Sequence, residues 1–231
     1  METSNRNGGV ALRNGGGDIR VEPLVEKHRH DDALMPAIER LCTDAGVRPA
    51  DLDVIGVSVG PGGFTGVRIA VVTAKVLAEV LGCDLVAVPT AEVVAASVPV
   101  SPGDSAGNLA VCLSAKRDTV WVQRFAAEKG RWRSTRPGAV IRAADLLAEP
   151  TDLVAADEHL PEEAKAACRS AGTEIIEPRF DPVKCLELTL EKLALGETVT
   201  PLDLLPLYPR EPEAVSKWRE RKAGGSGGSG K

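Results

Sequence analysis

An α/β fold is expected from three observations. Between residues 54 and 88 a short apolar run, a cluster of glycines, a long apolar segment and a second short apolar run follow one another. That succession is the pattern of strand, tight turn, helix and strand in a parallel βαβ unit. Strand-like and helix-like stretches alternate again over residues 153–156, 161–171, 174–176 and 182–195, as in a second α/β half. Aromatic residues make up only 3% of a chain that is 43% hydrophobic, so the core is built of Val, Leu, Ile and Ala, the composition of strands covered on both faces.

In chain order, Glu2-Thr3-Ser4-Asn5 and residues 8–12 resemble the turn and second strand of a hairpin whose first strand would lie ahead of Met1. Residues 14–18 turn the chain again, and residues 19–24 form a third strand. A helix capped by His30 or Asp31 runs to Ala45, with Leu34, Ile38, Leu41, Cys42 and Ala45 on one stripe, and Gly46 ends it. Pro36 lies inside, where it is tolerated near the first turn and otherwise bends the helix. The βαβ unit follows, its helix spanning residues 67–81 and stopped by Gly82. A short helix over residues 92–98 leads into a Pro-, Ser- and Gly-bearing stretch at 99–104. There the chain is expected to divide into an N-terminal lobe, 1–100, and a C-terminal lobe, 101–212, with an extension and flexible Gly/Ser tail over 213–231. Residues 109–113 and 119–125 read as a hairpin around Ala115-Lys116-Arg117-Asp118, and residues 201–212 as an extended segment lying across the body.

The helix of the βαβ unit is unusual in how little polar surface it has. Arg68, Val72, Lys75 and Glu79 fall on one narrow arc and, apart from Thr73, the remainder is apolar. Ala70, Ala74 and Ala78 stack as a small-residue ridge along which another helix could approach. Two readings stand: a helix sandwiched inside its own domain, or one that covers its own sheet and also meets a partner subunit.

A formal charge of −5 argues against a surface devoted as a whole to nucleic acid. Locally, seven basic residues against two acidic ones lie between Lys116 and Arg136, with Trp121 and Trp132 interleaved. This is a solvated hairpin face or, alternatively, a surface for RNA phosphates. No apolar run approaches the roughly 20 residues that span a bilayer and no signal peptide is seen, so a cytoplasmic protein without a membrane partner is expected. Five widely spaced cysteines without a C-x-x-C pair read as reduced, buried thiols. His28 and His30 are two apart and the third histidine is His159, so no metal site is expected. The sequence holds no phosphate-loop, dinucleotide-binding, H-E-x-x-H or G-x-S-x-G motif. Gly60, Pro61, Gly62, Gly63 and Gly66 stand at a helix N-terminus, where backbone N–H groups can hold an anion or where glycines simply let a strand turn sharply into a helix.

Several motifs in this order resemble the TsaB (YeaZ) family. They are Glu2-Thr3-Ser4, Arg29-His30 followed by Leu34-Met35-Pro36 and Ile38, the run from Gly60-Pro61-Gly62-Gly63-Phe64-Thr65 to Gly66-Val67-Arg68, the Ala115-Lys116-Arg117 turn and Pro206-Leu207-Tyr208-Pro209-Arg210. The glycine run is the specific part. The chain departs from the pattern at Glu2, where the family has Asp, at Gly63 for Ser, at Ser114 for Asp and at Lys116 for Arg.

The resemblance implies an actin-like ATPase (ASKHA, RNase H-like) fold with two α/β lobes. It implies a non-catalytic platform subunit of the complex that places threonylcarbamoyl on tRNA adenosine. The partners would be a TsaD-like catalytic subunit, a TsaE-like ATPase, a second copy in a homodimer, and tRNA through the complex, with ATP and metal belonging to those partner subunits. The contact surface expected from helix geometry comprises Leu34, Met35, Ile38, Phe64, Thr65, Arg68, Val72, Lys75 and Glu79. Glu2, Thr3 and Ser4 occupy the position of a nucleotide-binding turn. A stand-alone small-molecule kinase or ATPase of the same superfamily is the alternative, and it would need an acidic magnesium ligand that only Glu2 offers.

Overall fold

The computed structural model describes residues 1–24, 30–100 and 107–209. It starts with an antiparallel hairpin, β1 (Gly9–Arg13) and β2 (Ile19–Pro23), in which Ala11 faces Val21. Asn14 shapes the turn: its Oδ1 accepts from the N–H groups of Gly16 and Asp18, both at 3.0 Å. Helix α1 (His30–Ala45) follows, with Pro36 inside it. Leu34, Ala37, Leu41 and Cys42, spaced three and four apart, are buried. Gly46 ends it at φ +65°, and the Val47 N–H returns to the Cys42 carbonyl at 2.9 Å. Arg29 and His28 lie outside the described residues.

The parallel unit forms as expected from β3 (Val54–Ser58), α2 (Phe64–Leu81) and β4 (Asp84–Val88), with Gly56 opposite Val86. Gly82 takes the left-handed conformation and returns its N–H to the Ala78 carbonyl. Helix α3 (Thr90–Ala96) begins and ends two residues before the expected 92–98, with Pro89 as its N-cap.

The second half is a six-stranded sheet, from β5 (Asn108–Lys116), β6 (Thr119–Glu128), β7 (Arg131–Ser134), β8 (Ala139–Arg142), β9 (Leu153–Ala156) and β10 (Glu174–Ile176). Its order is β10-β9-β5-β6-β7, and β8 pairs with the first half of β6. Strand β5 is parallel to β9 and antiparallel to β6. Leu109, Val111 and Leu113 pack with α3 on one face. Ala110 and Cys112 pack on the other with α4 (Glu162–Ala171), so alternation along a doubly covered strand produces the apolar run. Strands β7 and β8 escape sequence reading because they are four residues long and largely exposed.

Helix α5 (Pro182–Ala194) starts under an Asp181 cap whose Oδ1 accepts from the Val183 N–H at 2.8 Å. It returns to the first half and packs on β1, β3 and β4. Gly56 permits the approach, since a Cβ there would collide with Thr189 of α5. Between β1 and β3 lie Met1 and Glu2. Glu2 and Gly9 exchange both backbone bonds, at 2.9 and 2.7 Å, and the Met1 carbonyl accepts from the Ser58 N–H at 2.9 Å. The Met1 amino group donates to the Gly56 carbonyl at 2.7 Å.

Candidate partner interface

Helix α2 buries one face and leaves another bare. Gly66, Val67, Ala70, Val71, Ala74 and Ala78 are buried, so the alanine ridge faces the core shared with α1 and β3, not a partner. On the opposite side Phe64, Arg68, Val72, Val76 and Val80 succeed one another at intervals of four, placing them on one face. Phe64 is 56% exposed, Val72 58%, Val76 56% and Val80 75%. Thr65 and Glu79 are also exposed, and Lys75 is half-buried. Val76 and Val80 are absent from the arc expected from sequence, because on a helix apolar all round nothing distinguishes an inward valine from an outward one.

At the N-terminal end of this stripe the Arg68 guanidinium carbon stands 3.8 Å from the Phe64 ring centroid and 5.4 Å from that of Tyr208. Arg68 Nε donates to the Tyr208 hydroxyl at 2.5 Å, and the two rings lie 5.7 Å apart. The extended segment near residue 208 is thereby strapped over the start of α2, as its Leu207 N–H also reaches the Val59 carbonyl at 2.7 Å. Arg210 and the tail 213–231 lie outside the described residues. On α1, Met35 is 49% exposed. Leu34 corrects the expectation: it is 1% exposed and packs in the first core, while Ile38 is half-buried against the same core. Both stand on the inward stripe of α1, so Leu34 has no side-chain surface to offer.

The glycine turn has a different use from anion binding. A Cβ on Gly62 would meet the Ser4 carbonyl oxygen at 2.5 Å, and the Gly63 N–H already donates to that oxygen at 2.6 Å. Thr3 Oγ1 donates to the Gly66 carbonyl at 2.9 Å. Gly60, at φ +100°, lies close to the Leu207 carbonyl, and Pro61 is buried. The glycines therefore let two turns close on each other, residues 2–5 against residues 60–63.

Glu2, Thr3 and Ser4 are 0%, 1% and 3% exposed. Oε1 of Glu2 accepts from the Ser4 N–H at 2.7 Å and from the Ser4 hydroxyl at 2.5 Å. Its Oε2 has no partner among the described residues. Burial raises the Glu2 pKa, against the opposing hydrogen bonds from Ser4. These residues do not fit a nucleotide phosphate: the Glu2 and Ser4 N–H groups and the Thr3 and Ser4 hydroxyls are bonded internally and the carboxyl is sealed from solvent. Among the described residues no cluster of three His, Cys, Asp or Glu could hold a metal ion.

The basic stretch is largely matched within the chain. Arg131 and Arg133 pair with Glu191, and Arg136 pairs with Glu149. Arg124, 9% exposed, donates to the Leu146 carbonyl and the Thr151 hydroxyl. Trp121 is buried, and Trp132 donates Nε1–H to the Val98 carbonyl at 3.1 Å. Trp121 is spent in the core and Trp132, half-buried, is tied to the Val98 carbonyl, which favours the solvated hairpin over the RNA surface. The cysteines are free thiols, buried except for the half-buried Cys83, and burial pushes Cys185 up to about 11. Among the described residues no helix is long and apolar enough to cross a membrane.

The family model described as TsaD, tRNA N6-adenosine threonylcarbamoyltransferase, matches residues 12–181. A Bacillus subtilis relative, the tRNA threonylcarbamoyladenosine biosynthesis protein TsaB, is 32% identical over 147 residues, covering 64% of this chain and 62% of that protein. A Sphingopyxis alaskensis tRNA N6-adenosine threonylcarbamoyltransferase is 41% identical over 68 residues, 29% of this chain and 20% of that protein. The chain thus spans less than two thirds of the length of these relatives. The structure of YeaZ from Pseudomonas aeruginosa superposes with a TM-score of 0.70 at 25% identity, covering 89% of this chain and 96% of that one. The α/β architecture is accordingly that of the actin-like (ASKHA, RNase H-like) fold. On these grounds the chain belongs to the TsaD family and stands with its TsaB (YeaZ) members.

Proposed function

We propose that this chain acts in tRNA threonylcarbamoyladenosine biosynthesis as a non-catalytic platform that pairs through α2, with Met35 of α1, with a TsaD-type catalytic subunit. The observation that carries this is the stripe of Phe64, Val72, Val76 and Val80, each more than half exposed on a helix whose other face is fully used. Solvent-facing valines at intervals of four contribute nothing to the fold of the lone chain and form a continuous seam for a second helix. Arg68, set over the Phe64 ring and bonded to the Tyr208 hydroxyl, is a preorganised cation at one end of that seam. The relatives named for threonylcarbamoyladenosine biosynthesis support the pathway, and the closed Glu2–Ser4 turn supports leaving ATP and metal to the partner subunits. A TsaE-like ATPase and tRNA would then meet the assembled pair. The division into lobes at residue 100 belongs to this proposal, with α5 of the second part docked on the sheet of the first.

Size-exclusion chromatography with light scattering, on the chain alone and mixed with its cognate TsaD-type protein, tests this. A one-to-one complex is expected, and Val72→Glu abolishes it while circular dichroism stays unchanged. A stable homodimer disrupted by the same substitution would assign the face to a second copy. A complex that survives Val72→Glu places the interface elsewhere.

A further inference from the structure

Among the described residues strand β2 has one neighbour, β1, and that pairing fixes the direction of its backbone groups. The Leu24 N–H bonds to the Gly8 carbonyl and the Asn14 N–H to the Asp18 carbonyl, while the Gly9 N–H turns away to Glu2. Bonded pairs alternate along an antiparallel ladder, so Val10 with Glu22 and Leu12 with Arg20 are the pairs that close it. The N–H and carbonyl groups of Ile19 and Val21, with the carbonyl of Pro23, therefore point away from β1. Among the described residues none of these groups has a partner.

The side chains of β2 sort by face. Arg20 and Glu22 stand on the α1 side, opposite Leu12 and Val10, which are buried in the core that α1 covers. Ile19, Val21 and Pro23 stand on the other side, with Ile19 44% and Val21 43% exposed. Oε1 of Glu22 accepts from Arg40 Nε of α1 at 2.9 Å, and among the described residues no bond reaches its Oε2. Arg20 is exposed and makes no ion pair among the described residues. A free cation and a half-used carboxylate thus flank Val21 on one face, and apolar groups flank it on the other.

We propose that this edge joins a second copy of the chain, β2 against β2 in antiparallel register about a two-fold axis at Val21. Val21 then exchanges both backbone hydrogen bonds with Val21 of the second copy, and each Ile19 N–H reaches the other copy's Pro23 carbonyl, about four bonds in all. Pro23, having no N–H, ends the ladder there. On one face Val21 meets Val21 and Ile19 meets Pro23. On the other Arg20 meets Glu22 twice, at the closer spacing of a non-hydrogen-bonded pair. Neighbouring registers fail: an axis at Arg20 or Glu22 opposes like charges, and one at Ile19 runs the second strand into the turn at Gly17, φ +91°. Helix α1 lies over both strands of the hairpin, so strand spacing brings the α1 helices of the two copies to about 10 Å, a helix-packing distance. The contact therefore has a sheet layer and a helix layer. It uses no residue of α2 and leaves the one-to-one stoichiometry proposed with a TsaD-type protein unchanged.

Light scattering after size-exclusion chromatography of the full chain, beside oxidative cross-linking, tests this. A dimer is expected for wild type and for Val72→Glu. Val21→Pro removes both central donors without touching the bonds to β1, and Arg20→Glu sets like charges against Glu22. Each is expected to give a monomer with circular dichroism unchanged. Val21→Cys is expected to cross-link at least about tenfold faster than Ile19→Cys or wild type, since only position 21 faces its own copy across the axis, with about 5.5 Å between Cα atoms. A monomeric wild type overturns the proposal and leaves the edge to a strand of another protein. A dimer that persists in Val21→Pro and is lost in Val72→Glu also overturns it, by assigning self-association to α2. Equal cross-linking at positions 19 and 21 overturns the register and the proposal with it.

Discussion

Glu2 carries a carboxyl that is wholly buried, bonded through one oxygen to Ser4 and through the other to nothing among the described residues. Burial raises its pKa above the ordinary 4.5, so the folded chain holds its proton more tightly than the unfolded one. Below pH 4.5 both states are protonated and the stabilising contribution is fully present. As the pH climbs, the unfolded carboxyl ionises first, and stability falls until the pH passes the raised native value. Glu2→Gln removes this slope. Urea midpoints measured from pH 4.5 toward neutrality are expected to fall less in the variant than in wild type, and parallel curves would refute the assignment.

Two helices show how the same physics serves different ends. In α5 the cap is a single hydrogen bond, from the Val183 N–H to Asp181, and the helix it starts carries Thr189 to Gly56. Asp181→Ala is expected to cost about 1 kcal/mol in thermal or urea unfolding, with no change in partner pairing. In α2 the glycine at position 63 offers no capping side chain, and the strap at Tyr208 and the Ser4 carbonyl hold the first turn instead. Its exposed valines are nearly neutral for the lone chain, where surface changes shift stability by about 0.5 kcal/mol or less. That is why Val72→Glu separates pairing from folding.

Across the whole molecule a close backbone approach joins the second half to the first at Gly56 and Thr189. Thr189 is buried and its hydroxyl donates to the Cys185 carbonyl at 2.7 Å, so it cannot swing aside freely. Gly56→Ala is therefore expected to lower stability by about 1–3 kcal/mol, read from denaturant unfolding. The double variant with Thr189→Ala should recover part of that loss, because the two sites share the space. Additive losses would show that α5 is not held at this point.

Sequence alone determined what depends on local rules. The βαβ unit, the stop at Gly82, the hairpin turning at Asn14 and the alternating faces of β5 follow from periodicity, glycine chemistry and side-chain-to-backbone bonds within a few residues. The family was legible in the glycine run for the same reason, since a tight turn tolerates few substitutes. Tertiary structure alone decided which apolar face of α2 is spent on the core, that Leu34 is inside, that Glu2 is sealed, and that the arginines of the hairpin answer Glu149 and Glu191. It also decided that α5 closes over the first half, on β1, β3 and β4. Each of these is set by residues tens to hundreds of positions apart in the chain, and burial at such range depends on what packs where, which no local pattern encodes.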